Sequence, residues 1–129
     1  MTEYTIILPW GERILHANQR LHWAEHNRRV QAVRKSVYVS ALLGKYPKGV
    51  PHATITLTWH PPRAYRTDAE NLAPLLKACV DGLALGTGKT LGYGLTADDT
   101  PRYVTTRCVI GDPIPQGKLL LHIALDGDA

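Results

Sequence analysis

Ala53-Thr54-Ile55-Thr56-Leu57-Thr58-Trp59 alternates without a break between apolar residues and threonine. Side chains alternate sides along a strand, so Ile55, Leu57 and Trp59 share one face and the threonines share the other. A strand of this kind is half-buried, and Pro61-Pro62 stops it. The chain must therefore build a sheet with one wet face and one covered face, and the rest of the sequence must supply the cover.

Two segments read as helices. Over about residues 21–43, Val30, Val33, Val37 and Ala41 recur at helical spacing, and Gly44 and Pro47 mark the end. Over about 72–85 the run from Leu72 to Leu83 is amphipathic, and Pro74 requires the helix to begin within a few residues of Asn71. Thr5-Ile6-Ile7-Leu8 predicts a first strand ended by Pro9, and residues 11–19 a loop. Residues 103–110 and 118–125 predict two more strands, joined as a hairpin through Pro113-Ile114-Pro115-Gln116-Gly117. The order is βαβαββ, which suits an α+β (mixed α/β) fold: a single mixed sheet covered by two helices. At 129 residues the expected organisation is one domain, 1–129. No run of eighteen apolar residues exists to cross a membrane, and the first residues carry no leader pattern. Cys79 and Cys108 are expected as buried thiols, so the expected location is the cytoplasm.

Charge is distributed unevenly. The net charge is +4. Through Arg66 ten basic residues face three acidic ones, and after it the balance becomes five against eight. A basic half suits phosphate neutralisation and an acidic half suits metal binding, although an ordinary basic domain has the same totals. Of only eleven carboxylates, four fall in two short clusters, Asp68-Ala69-Glu70 and Asp98-Asp99. The 72–85 helix runs between them and can carry both to one side of a sheet. Converging carboxylates are what a hard cation such as Mg²⁺ or Mn²⁺ requires. The same residues admit a plainer reading: Asp68 or Asn71 caps the helix, and Asp98-Asp99 forms a solvated turn. Pro101 favours an extended approach, so the acidic pair is expected to enter the third strand.

Other signals point elsewhere more weakly. Arg28, Arg29, Arg34 and Lys35 lie on the first helix opposite its valines, with Arg20 just before them. Such a stripe tracks phosphates or is simply a solvated face. Arg63 and Arg66 flank the first acidic cluster. His22 and His26 stand four apart but lack the glutamate and third ligand of a zinc motif. Gly86-Thr87-Gly88-Lys89-Thr90 resembles the end of a phosphate-binding loop, yet Leu83 occupies the position of the first glycine, and a flexible loop is expected.

Asp68-Ala69-Glu70-Asn71-Leu72, then Leu76-Lys77, Asp81-Gly82-Leu83 and Asp98-Asp99, resembles the RusA family of Holliday junction resolvases. Pro9, Asn18, Arg20 and the basic helix fit the opening part of that pattern. The resemblance implies a homodimeric, phage- or prophage-type endonuclease that cuts four-way DNA junctions by paired symmetric nicks with Mg²⁺. It implies metal-binding carboxylates at Asp68, Glu70 and Asp99, an accessory acid at Asp98 and a catalytic lysine at Lys77. Arg20, Arg28, Arg29, Arg34, Lys35, Arg63 and Arg66 are the expected DNA contacts. Two departures stand out. Glu70 replaces the family's aspartate. Ala73-Pro74-Leu75 also appears as an insertion, leaving Lys77 six residues after Asn71, about 240° around a continuous helix. Lys77 then serves only if the helix starts after Pro74 and is re-aimed. Its alternative is a surface pair with Asp81. The competing functions are a non-catalytic nucleic-acid-binding protein and a nuclease for flaps or other branched DNA.

Overall fold

The computed structural model describes residues 2–9, 23–64 and 69–126, and of Trp23 and His26 the backbone alone. Its elements run β1 (Thr2–Leu8), α1 (Trp23–Leu43), β2 (His52–His60), a 3₁₀ turn (Ala69–Leu72), α2 (Ala73–Leu83), β3 (Val104–Ile110) and β4 (Lys118–Asp126). This is a mixed α+β fold with one four-stranded sheet, in the order expected from the sequence. The expected 11–19 loop lies outside the described residues.

The strands lie in the order β1-β4-β2-β3. β4 pairs antiparallel with both β1 and β2, while β2 and β3 pair in parallel. α2 is the crossover between the parallel pair, and α1 carries the chain from β1 past the slot that β4 fills. The expected hairpin between the last two strands is thus corrected: β2 lies between them. The reason is composition. β4 carries Leu119, Leu121, Ile123 and Leu125 on its buried side and Leu120 and Ala124 on the other, so it suits an interior position. β3 carries exposed Thr105, Thr106 and Arg107, which suit an edge.

The alternation in β2 is expressed as expected. Ala53, Ile55, Leu57 and Trp59 are buried and the threonines between them are half-buried. The covered face meets Val33, Val37 and Ala41 of α1 and Leu75, Leu76, Cys79, Val80 and Leu83 of α2 in one core. Each fully buried aliphatic side chain of this kind contributes about 1.5–3 kcal/mol. Phe is absent, and tyrosines take its place at the margin, where Tyr4 stacks on Tyr46 with ring centroids 4.0 Å apart. The helix-to-sheet cover leaves the opposite face open, and there Ile7 is exposed.

α1 ends where Gly44 was expected to end it, but Lys45 takes the left-handed conformation, at φ 51°. The Tyr46 amide donates to Ala41 and the Lys45 amide to Leu42, which closes the last turn. α2 ends two residues earlier than expected. Its last carbonyls are satisfied by the following loop: the Tyr93 amide donates to Gly82, and those of Gly94 and Leu95 donate to Leu83. The glycine-rich segment is therefore a backbone-paired cap rather than a loose loop. A Cβ at Gly92 would stand 2.3 Å from the Ala84 carbonyl oxygen, so only glycine permits that approach. No helix among the described residues is long and apolar enough to cross a membrane.

Candidate functional site

The cap just described also aims the second acidic cluster. The Leu85 amide donates to the Thr96 carbonyl, and the buried Thr96 hydroxyl donates to the Asp98 carbonyl at 2.8 Å. The Asp99 amide donates to Asp98 Oδ1 at 2.7 Å. A turn through Thr100 then leads into β3, with the Tyr103 and Val104 amides both bonded to the Thr100 carbonyl. Asp98 and Asp99 thus sit in a bend before the strand rather than at its entry, which corrects the sequence expectation. Turn hydrogen bonds outweigh the extended preference that Pro101 imposes on its predecessor.

This bend places Asp99 over the middle of α2. Lys77 Nζ donates to Asp99 Oδ2 and, at 2.9 Å, to Asp81 Oδ1. The lysine stays 63% exposed, whereas Asp99 is 31% and Asp81 23% exposed. The hydrogen bond from Lys77 holds the Asp99 carboxyl below its ordinary 3.8, and the same bond raises Lys77 above its ordinary 10.5. Both groups are therefore ionised at neutral pH. Beside them lies a hollow of about 250 Å³, lined by Ala73, Leu76, Lys77, Val80, Asp99 and Thr106. It has an apolar floor on α2, a wall on β3 and one pair of opposite charges at its rim.

The chain before α2 is not a continuation of that helix. Residues 69–72 form a 3₁₀ turn, which advances about 120° per residue rather than 100°. These 3₁₀ steps change the angle between Asn71 and Lys77 by only about 20–40°, and α2 does not start after Pro74, so the re-aimed helix that the resemblance requires is not found. α2 starts at Ala73, before Pro74, which occupies the first turn where its missing amide costs nothing. The N-cap is Leu72, which has no side-chain acceptor, so the expected cap by Asn71 is corrected. The 3₁₀ turn packs against β3 and α2, and Glu70 is exposed on it.

Of the remaining site residues, Asp68, Arg20, Arg66 and His22 lie outside the described residues. Among the described residues no three Asp, Glu, His or Cys side chains gather as a metal-holding group. The donors that are described, Asp98, Asp99 and Glu70, are all hard oxygen ligands, with no thiol or imidazole among them. Such a set fits Mg²⁺ better than zinc. Arg63 is exposed in the bend after β2.

The basic stripe on α1 is corrected. Arg28 and Arg29 both pair with Glu25, at 2.7 and 3.1 Å. Arg34 turns inward: its side chain is 16% exposed and its Nη2 lies 3.7 Å from Asp81 Oδ2. Successive residues on a helix are about 100° apart, so only Arg28 and Lys35 share a face. Sequence reading missed the link from Arg34 to Asp81. Its one local signal is Gly82, the small residue beside Asp81 that lets the two helices approach. The chain matches no family model and no curated protein.

Proposed function

We propose that this protein is a Mg²⁺-dependent, structure-specific DNA endonuclease of the RusA type that resolves four-way junctions by paired nicks. One observation carries the reading. A lysine on the crossover helix and an aspartate on the bend before β3, 22 residues apart, are joined in an ion pair beside an open hollow. These are the lysine and late aspartate of the resemblance, and nothing local in the sequence obliges them to meet.

In this reading Asp99, with Glu70 and Asp68, holds the cation, and Asp98 supports Asp99 through its backbone amide. The cation, when bound, stabilises charge on the scissile phosphate and lowers the pKa of a bound water. Lys77 is already cationic and solvent-facing. It can present its ammonium to a phosphate oxygen as a second, fixed source of positive charge. Asp99 is already ionised, so it needs no deprotonation before it takes a metal. Arg28, Lys35, Arg63, Arg66 and Arg20 serve to neutralise backbone phosphates away from the reacting centre. Resolution needs a nick on each of two strands, so the active form is a homodimer that presents two sites to the junction.

The test is cleavage of end-labelled four-way junction, flap and linear duplex of one sequence, with Mg²⁺, and mapping of the nicks. Symmetric nicks confined to the junction support the resolvase. Cleavage of the flap in preference would move the substrate to other branched DNA. Tight junction binding with no cut strand would replace the enzyme with a binding module.

A further inference from the structure

Asp81 stands one helical turn beyond Lys77 and lies outside the carboxylate set assigned to the metal. Its two oxygens are divided between helices. Oδ1 accepts from Lys77 on its own helix, and Oδ2 faces Arg34 of α1. Burial follows the same gradient. Arg34 is the most enclosed of the three, Asp81 is intermediate and Lys77 is exposed. The helices are pinned where this happens. A Cβ on Gly82 would lie 2.6 Å from the Arg34 carbonyl oxygen and 3.3 Å from Val37 Cβ. Arg34 therefore has little freedom to swing away from Asp81.

The arrangement is a poor device for stability. Arg34 Nε is buried without a hydrogen-bond partner, and the Arg34–Asp81 separation is long for an ion pair. An unsatisfied buried donor costs more than such a contact returns. It does restrict a lysine. A free lysine ammonium sits on four rotatable carbons and spreads over many rotamers. A second acceptor fixed from behind removes most of them and leaves the ammonium at Asp99.

We propose that Asp81 is a positioning residue, clamped by Arg34 of α1, that holds the Lys77 ammonium at Asp99. The proposal rests on the nuclease reading for its functional meaning but not for its geometry. Arg34 thereby acts through Asp81, and the first helix contributes to the site without touching substrate.

The experiment compares the full chain with Asp81→Asn, Lys77→Ala and the double variant, each checked for folding by its melting curve. Two readouts are taken. The first is the order parameter of the Lys77 ammonium in metal-free protein by ¹⁵N NMR. The second is the single-turnover rate at saturating junction with Mg²⁺. Asp81→Asn is expected to free the ammonium and to lower the rate about 10-fold, the usual scale for removing a residue that orients a catalytic group. Junction affinity should change less than about two-fold, since only positioning is lost. The double variant should be no slower than Lys77→Ala alone, because Asp81 acts through Lys77. Arg34→Met should mobilise the ammonium in the same direction by a smaller amount. An ammonium equally ordered in Asp81→Asn overturns the proposal, as do losses that multiply in the double variant. If the native protein cuts no junction, the nuclease reading fails, and the ammonium measurement still decides the positioning role.

Discussion

Replacing Gly82 with alanine sets two effects of opposite sign against each other. Gly82 lies in the last turn of α2, and alanine in a helix is favoured over glycine by at most about 1 kcal/mol. Against this, the new Cβ would meet the Arg34 carbonyl oxygen at 2.6 Å and Val37 Cβ at 3.3 Å. Ordinary contact begins near 3.4 Å. The obstacle is helix backbone, not the end of a flexible side chain, so α1 and α2 must move apart by several tenths of an ångström. Val33, Val37, Cys79 and Leu83 lie in the same core and feel that shift. Overpacking of this kind costs about 1–3 kcal/mol, and a backbone obstacle puts it in the upper part of that range. The net expectation is destabilisation by about 1–2 kcal/mol. The assay is urea unfolding followed by circular dichroism, in which the midpoint should fall at unchanged slope. Gly88→Ala is the control. No atom lies within 4 Å of its added Cβ, so the midpoint should move by less than about 0.5 kcal/mol equivalent. A Gly82→Ala midpoint equal to or above that of the native protein would refute the close helix crossing, and with it the clamp from Arg34 to Asp81.

Three further outcomes are expected. Lys35→Ala should weaken junction binding and reduce the slope of log affinity against log salt by about 1, whereas Arg34→Ala should lower the melting temperature and leave the slope unchanged. In the native protein a thiol reagent should modify half-buried Cys108 and spare Cys79 until unfolding, because full burial pushes the Cys79 thiol far up and burial also raises Cys108. The Asp99 carboxyl is depressed, by the Lys77 hydrogen bond first, so its stabilising contribution is present above the ordinary 3.8 and is lost as pH falls through the depressed value. Lys77 is raised, so its share is full below 10.5 and fades as pH rises beyond that. The urea-midpoint difference between native protein and Asp99→Asn should accordingly be flat from about pH 5 to 9 and shrink in stronger acid.

Local pattern made the elements legible. Strict alternation in β2 and the spacing of Val33, Val37 and Ala41 in α1 each specify one buried face, and the fold uses both. Strand partners were less legible because pairing is long-range. Nearness in sequence pointed to a hairpin between β3 and β4, yet the apolar character of β4 on both faces and the polar edge of β3 were better guides. At the site, the Lys77–Asp81 pair follows from i,i+4 spacing and could be read directly. The Lys77–Asp99 pair could not, since it depends on a bend aimed by the Thr96 hydroxyl and by backbone bonds across the α2 cap.

The most direct test of the central claim is junction cleavage by the native protein and by Asp99→Asn in Mg²⁺, with junction affinity measured alongside. The account predicts paired nicks from the native protein, and from the variant an unchanged or tighter affinity with cleavage reduced by at least about 100-fold, as expected when a transition-state interaction alone is removed. Nicks made at the native rate by Asp99→Asn would contradict it, and would remove the Lys77–Asp99 hollow as the site of chemistry.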